Sequence, residues 1–108
     1  MGKKIKFEKD GEKYVLEYTR EAVQVMEAQG FSLSELTKKM MTMLPIAFRG
    51  LFYKNHKNVS GSFIDECYDL FGDKKQLMES IALMLADTYN GLTEENKDET
   101  KNIKWEIE

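Results

Sequence analysis

The strongest constraint on this chain is a change of period. Up to Tyr18 apolar side chains recur every second residue, and from Ala22 onward they recur every three or four. Ile5 and Phe7 alternate with Lys4, Lys6 and Glu8, and Tyr14, Leu16 and Tyr18 alternate with Lys13, Val15 and Glu17. A strand sends successive side chains to opposite faces, so this alternation marks two strands with one buried face. Asp10-Gly11 lies between the runs. It suits a type I′ turn, whose two central residues both need positive φ. An isolated hairpin is marginal in water, so its apolar face must pack on the rest of the chain. The expected class is therefore α+β, mostly α-helical, with an N-terminal β-hairpin packed on about five helices.

The helices carry their own start and stop signals. Thr19 can cap the first, with Ala22, Val23, Val25 and Met26 on one face and Gly30 ending it. Ser32-Leu33-Ser34-Glu35 fits a capping box, with Phe31 and Leu36 placed as the hydrophobic staple. The helix expected from there carries Leu33, Leu36, Met40, Met43 and Leu44 on one face, and Pro45 should open a new one. Lys54 to Asn58 reads as a polar loop. Ser60 or Ser62 caps a short helix with Phe63, Ile64, Cys67, Leu70 and Phe71 on its apolar face, and Gly72 stops it. Asp73 caps the longest helix, expected from Lys74 to about Asn90 and ended by Gly91, with Leu83 on its polar side.

Residues 1–92 thus read as one globular domain. Residues 93–102 are polar and acidic without periodicity, and read as a linker. Ile103-Lys104-Trp105-Glu106-Ile107 alternates again, as a third strand beside the hairpin or as a free recognition tail.

Composition removes several function classes. The chain has 108 residues, with 16 Lys and Arg against 19 Asp and Glu, a net charge of −3. That disfavours a nucleic-acid partner, because counterion release needs a basic face. No segment reaches the roughly 18 apolar residues of a membrane helix. The start has no apolar run behind its lysines, so no signal peptide is expected. One cysteine, Cys67, cannot form an intrachain disulfide. The expected setting is cytoplasmic.

No chemistry emerges from the motifs. His56 and Cys67 stand eleven positions apart on different elements, too few and too far for a zinc site. Cys67 reads as a small core residue. There is no phosphate-cradling glycine loop and no nucleophile elbow. Asp65, Glu66 and Asp69 read as a solvated helix face. The expectation is a protein that is not an enzyme, with no catalytic residue, no metal and no cofactor.

Three features point instead to a partner. Residues 46–53 are apolar nearly all round a helix, with Ile46 and Tyr53 on one side, Phe48 and Phe52 on the other, and Arg49 the only charge. Such a helix is central in a core or meets something outside it. Met40, Met41 and Met43 cluster among seven methionines, whose flexible thioethers fill cores or adapt to varied partners. Trp105 follows the acidic stretch, either tucked onto the domain or offered outward. The candidate partner-binding residues are Met40, Met41, Met43, Phe48, Phe52, Tyr53 and Trp105.

The order of short motifs is informative. Ile5-Lys6-Phe7-Glu8 and Tyr14-Val15-Leu16-Glu17-Tyr18-Thr19-Arg20-Glu21 come first. Glu27-Ala28-Gln29-Gly30-Phe31 and Leu51-Phe52-Tyr53-Lys54-Asn55-His56 come next, then a Ser-capped helix, then Lys104-Trp105-Glu106. This order resembles the small tail assembly chaperones of long-tailed bacteriophages and prophages. The resemblance implies a non-enzymatic protein of the bacterial cytoplasm that binds the tape measure protein, keeps it soluble during tail morphogenesis, and is absent from the mature virion. It further implies self-association, contact with the tail tube protein, and a frameshifted longer form with its junction near Trp105. The competing reading is a small phage- or prophage-encoded adaptor, or an inhibitor of a host protein.

Overall fold

The structure, a computed structural model, describes the backbone of residues 3–99 and the side chains of residues 3–90. It opens with strands β1 (Ile5–Lys9) and β2 (Glu12–Leu16), paired antiparallel with Ile5 opposite Leu16 and Phe7 opposite Tyr14. Asp10 at φ 54° and Gly11 at φ 81° form the turn, both in the left-handed region that Asp-Gly tolerates. Phe7 and Tyr14 stack at 5.1 Å between ring centroids.

Four α-helices come after the hairpin: α1 (Arg20–Ala28), α2 (Met40–Gly50), α3 (Gly61–Leu70) and α4 (Lys74–Glu99). The N-caps of α1, α3 and α4 are those the residues specify. The Thr19 hydroxyl accepts the Ala22 N–H at 3.1 Å, Ser60 accepts that of Phe63 at 3.1 Å, and Asp73 accepts that of Gln76 at 3.0 Å. Gly30 at φ 99° ends α1 in a Schellman motif. Its N–H reaches the Glu27 carbonyl, and the N–H of Phe31 reaches that of Met26, both at 3.0 Å. Lys74 closes the α3–α4 corner. Its ammonium donates to the carbonyls of Tyr68 and Phe71 and lies 4.5 Å from the centre of the Tyr68 ring.

Two expectations are corrected in the middle of the chain. The capping box at Ser32 does not form. Ser32 makes no side-chain cap bond and shares a 2.9 Å hydrogen bond with Ser34, and the chain makes only a 3₁₀ turn, Leu33–Glu35. Phe31 and Leu36 are nonetheless both buried. Pro45 does not open a helix but lies inside α2. A proline at this position cannot donate to the carbonyl of Met41. Met41 is 90 % exposed, so water can serve that carbonyl instead. Among the described residues the count is thus four α-helices and one 3₁₀ turn.

At the other end, α4 continues through Gly91 to Glu99, past the glycine expected to stop it and across the start of the expected linker. One glycine in a helix interior costs only about 1 kcal/mol against alanine. The Glu and Lys residues beyond it are good helix formers. The strand expected at 103–107 lies outside the described residues.

Helix α2 runs through the core. Met43, Leu44, Ala47 and Phe48 are buried on it, and Leu51 and Phe52 just after it. Phe48 packs edge-on against Phe52, Tyr68 and Phe71 at 5.3–5.5 Å, and Phe71 meets Phe7 of the hairpin at 5.5 Å. Aromatic pairs of this geometry contribute about 0.5–1.5 kcal/mol beyond the area they bury. The last turn of α2 tightens, with the N–H groups of Leu51, Phe52 and Tyr53 reaching back three residues. The Ala47 carbonyl accepts the buried Tyr18 hydroxyl at 2.6 Å, tying the end of the hairpin to the helix. Burial pushes the Tyr18 phenol well above its ordinary value, so it stays a donor.

Helices α1 and α2 approach closely at Gly50. A Cβ there would lie 2.3 Å from Sδ and 2.7 Å from Cγ of Met26, itself buried. Gly50→Ala should therefore cost about 1–3 kcal/mol in denaturant unfolding. Combined with Met26→Ala it should cost at least about 0.5 kcal/mol less than the sum of the single changes, because the clashing side chain is gone. Additive costs would show that the two do not collide.

Candidate functional site

The seven candidates separate by burial. Met43, Phe48 and Phe52 are buried in the core, with Phe48 only 1 % exposed, and Phe52 also lines a groove. Met43 and Phe48 serve the core, because α3 and α4 pack on that face of α2. Met40 is half-buried against the core, and Met41 stands out in solvent. Tyr53 is half-buried at a groove. Trp105 lies outside the described residues.

Three helical spacings place Ile46, Arg49, Gly50 and Tyr53 on the outward side of α2 and the turn beyond it. They form the floor of a shallow groove of about 180 Å³. Ala22, Val25 and Met26 of α1, with Gln29 just after it, make one wall, Val59 and Ile64 the other, and Phe52 and His56 also line the groove. Arg49 stands at the edge in a two-pronged contact with Asp65 at 2.9 and 3.1 Å. The Lys57 ammonium covers the Tyr53 ring at 4.4 Å from its centroid. The result is an apolar trough with a cationic rim. The split of residues 46–53 into two faces was legible from spacing, but Val25 was not. Its sequence position places it with the buried face of α1, whereas the structure leaves it 38 % exposed on the groove wall. Leu70 departs similarly, exposed at the end of α3 rather than on its apolar face.

The turn after α2 also closes the open edge of the sheet. Val15 directs its backbone away from β1. Its N–H donates to His56 Nε2 at 3.0 Å, and its carbonyl accepts the Asn55 amide at 3.2 Å. One step on, the Glu17 N–H reaches the Leu51 carbonyl at 3.3 Å. Two side chains and a carbonyl thus supply what a neighbouring strand would, removing a pairing hazard. His56 accepts through Nε2, so its Nδ1 carries the proton. This commits the only histidine to structure. Asn55 also donates to the Glu17 carboxylate at 2.8 Å, and Lys54 lies 3.3 Å away.

Cys67 is a free, buried thiol whose pKa burial pushes up, the opposite of an activated nucleophile. Among the described residues, no three His, Cys, Asp or Glu side chains gather where they could hold a metal, and no helix is long and apolar enough to cross a membrane.

The carboxyl of Glu17 is held below its ordinary value of 4.5, chiefly by the Asn55 hydrogen bond, with Lys54 adding to it. A carboxyl lowered by folding stabilises the fold above its unfolded pKa and loses that contribution as pH falls through the folded one. Thermal melts should show wild type more stable than Glu17→Gln at pH 7, with the gap closing below pH 4. A gap of constant size would remove Glu17 from the acid response.

Comparison with protein families gives one match over residues 1–108, to the family described as a domain of unknown function, DUF5055, and the chain belongs to that family. No curated protein and no solved structure matches it.

Proposed function

We propose that this member of the DUF5055 family is a non-enzymatic tail assembly chaperone that holds the tape measure protein in soluble form in the host cytoplasm while the tail is built. The observation that carries the reading is the groove beside α2. A helix whose buried face already serves the core keeps a second apolar face, Ile46 and Tyr53, open beside Val25. An amphipathic client helix is recognised by such a trough, with anchors spaced along one side. The trough is shallow, so a single contact is weak. A long client with many sites is held by many copies, and avidity supplies the strength. The order of sequence motifs supports the choice of client. Self-association, contact with the tail tube protein and a frameshifted longer form belong to the same proposal.

Co-expression with the tape measure protein encoded nearby tests it. The client should stay in the soluble fraction and co-purify. Val25→Lys should cut recovered client several-fold while shifting the melting temperature by no more than about 2 °C, since surface changes rarely cost more than about 0.5 kcal/mol. Phe48→Ala should instead lose about 3–5 kcal/mol of stability, as a core residue does. A client that stays insoluble and unbound with both the short and any longer product would overturn the reading, and would favour an adaptor or inhibitor of a host protein.

A further inference from the structure

The two edges of the hairpin are treated differently. The β2 edge is closed by Leu51, Asn55 and His56. Because Val15 faces that way, its register partner Lys6 must direct its N–H and carbonyl to the opposite edge, as must Glu8 two residues on. Among the described residues, no backbone or side chain pairs with these groups. Beside this open edge lies a groove between β1 and the first turns of α4, with Ile5, Phe71 and Leu77 as its apolar lining and Asp73, Gln76 and Ser80 as its polar one. An unpaired edge next to an apolar groove is what an added strand requires.

We infer that the segment Ile103-Lys104-Trp105-Glu106-Ile107 of a second copy of this chain pairs antiparallel with β1. Charge sets the register. With Trp105 opposite Phe7, Lys6 faces Glu106 and Glu8 faces Lys104, while Ile5 faces Ile107 beside the groove. A parallel arrangement about the same centre would set lysine against lysine and glutamate against glutamate, and like charges directly opposite are destabilising. The two charged pairs fall where the open backbone groups of Lys6 and Glu8 point, so each would be a hydrogen-bonded pair. Trp105 and Phe7 would form the closer, non-hydrogen-bonded pair.

Reach decides whose segment it is. Ser80 shares the groove with Ile5, and α4 continues for about 28 Å from Ser80 to Glu99 at 1.5 Å per residue. Lys3 and Lys4 lie with Met84 and Thr88 around one pocket, so β1 runs back against the direction of α4. Lys9, opposite Ile103, is about 13 Å further from the far end of the helix. Residues 100–103 span about 14 Å at full stretch, against about 40 Å to cover. The strand of the same chain falls short, and that of a neighbour does not. Each copy would then offer one edge and one strand. Such pairing is independent of the chaperone reading and needs no client.

Trp105 is the only tryptophan, so its fluorescence reports on the segment alone. In the full-length protein, emission should move to shorter wavelength as concentration rises, in step with the mass measured by sedimentation. Lys6→Glu and Glu106→Lys should each weaken this association at least tenfold, because each sets like charges opposite. Mixing the two variants should restore it, since the edge of one then matches the strand of the other. Emission characteristic of water at every concentration would overturn the inference. So would a short-wavelength emission that is independent of concentration in a monomer, which would mean that α4 unwinds and the segment folds onto its own β1.

Discussion

The packing of the other elements on one side of α2 is the interaction on which the rest depends. Phe48 and Phe52 carry it, and the rings of Tyr68, Phe71 and Phe7 extend it to α3 and the hairpin. Gly50 brings α1 close, and the Ala47 carbonyl receives Tyr18. A helix committed in this way on one side has a second side, and among the described residues that side is walled by α1, Val59 and Ile64 but left open between them. The groove at Ile46, Arg49 and Tyr53 is thus a consequence of how the core is built.

The hairpin shows a second economy. A two-stranded sheet has two exposed edges, and each invites pairing. Asn55 and His56 close one of them with side-chain atoms, so a turn of the chain takes the place of a strand. Glu17 and Lys54 extend that turn into a polar network at the end of β2. Among the described residues, nothing pairs with the backbone groups of the other edge, which lies beside a groove with apolar lining. Closure on one side and openness on the other gives the hairpin a direction for association.

Much of the fold was legible because local rules acted without competition. Asp10-Gly11 specified the turn, and Thr19, Ser60 and Asp73 specified three helix starts. Gly30 stopped α1 through backbone freedom no other residue has at φ 99°. Where local and tertiary preferences met, tertiary packing prevailed. Ser32 lost its cap because the chain needs a tight turn, not a helix, to bury Phe31 and Leu36 before α2. Pro45 sits inside α2 because burying Leu44, Ala47 and Phe48 outweighs one missing hydrogen bond beside solvent. The site was legible only in part: spacing separated Tyr53 from Phe48 and Phe52, but no spacing could say which of the two faces would be covered.

The sequence by itself determined the hairpin, its turn and the helical character of residues 20–90 outside their turns. These depend on neighbours within four residues, and local sterics and hydrogen bonding are enough to specify them. Tertiary structure decided which side of α2 became core, that Met41 and Val25 face outward, and that His56 serves a strand edge. Those outcomes depend on residues dozens of positions apart, such as Val15 and His56 or Met26 and Gly50. Only packing of the whole chain brings them together.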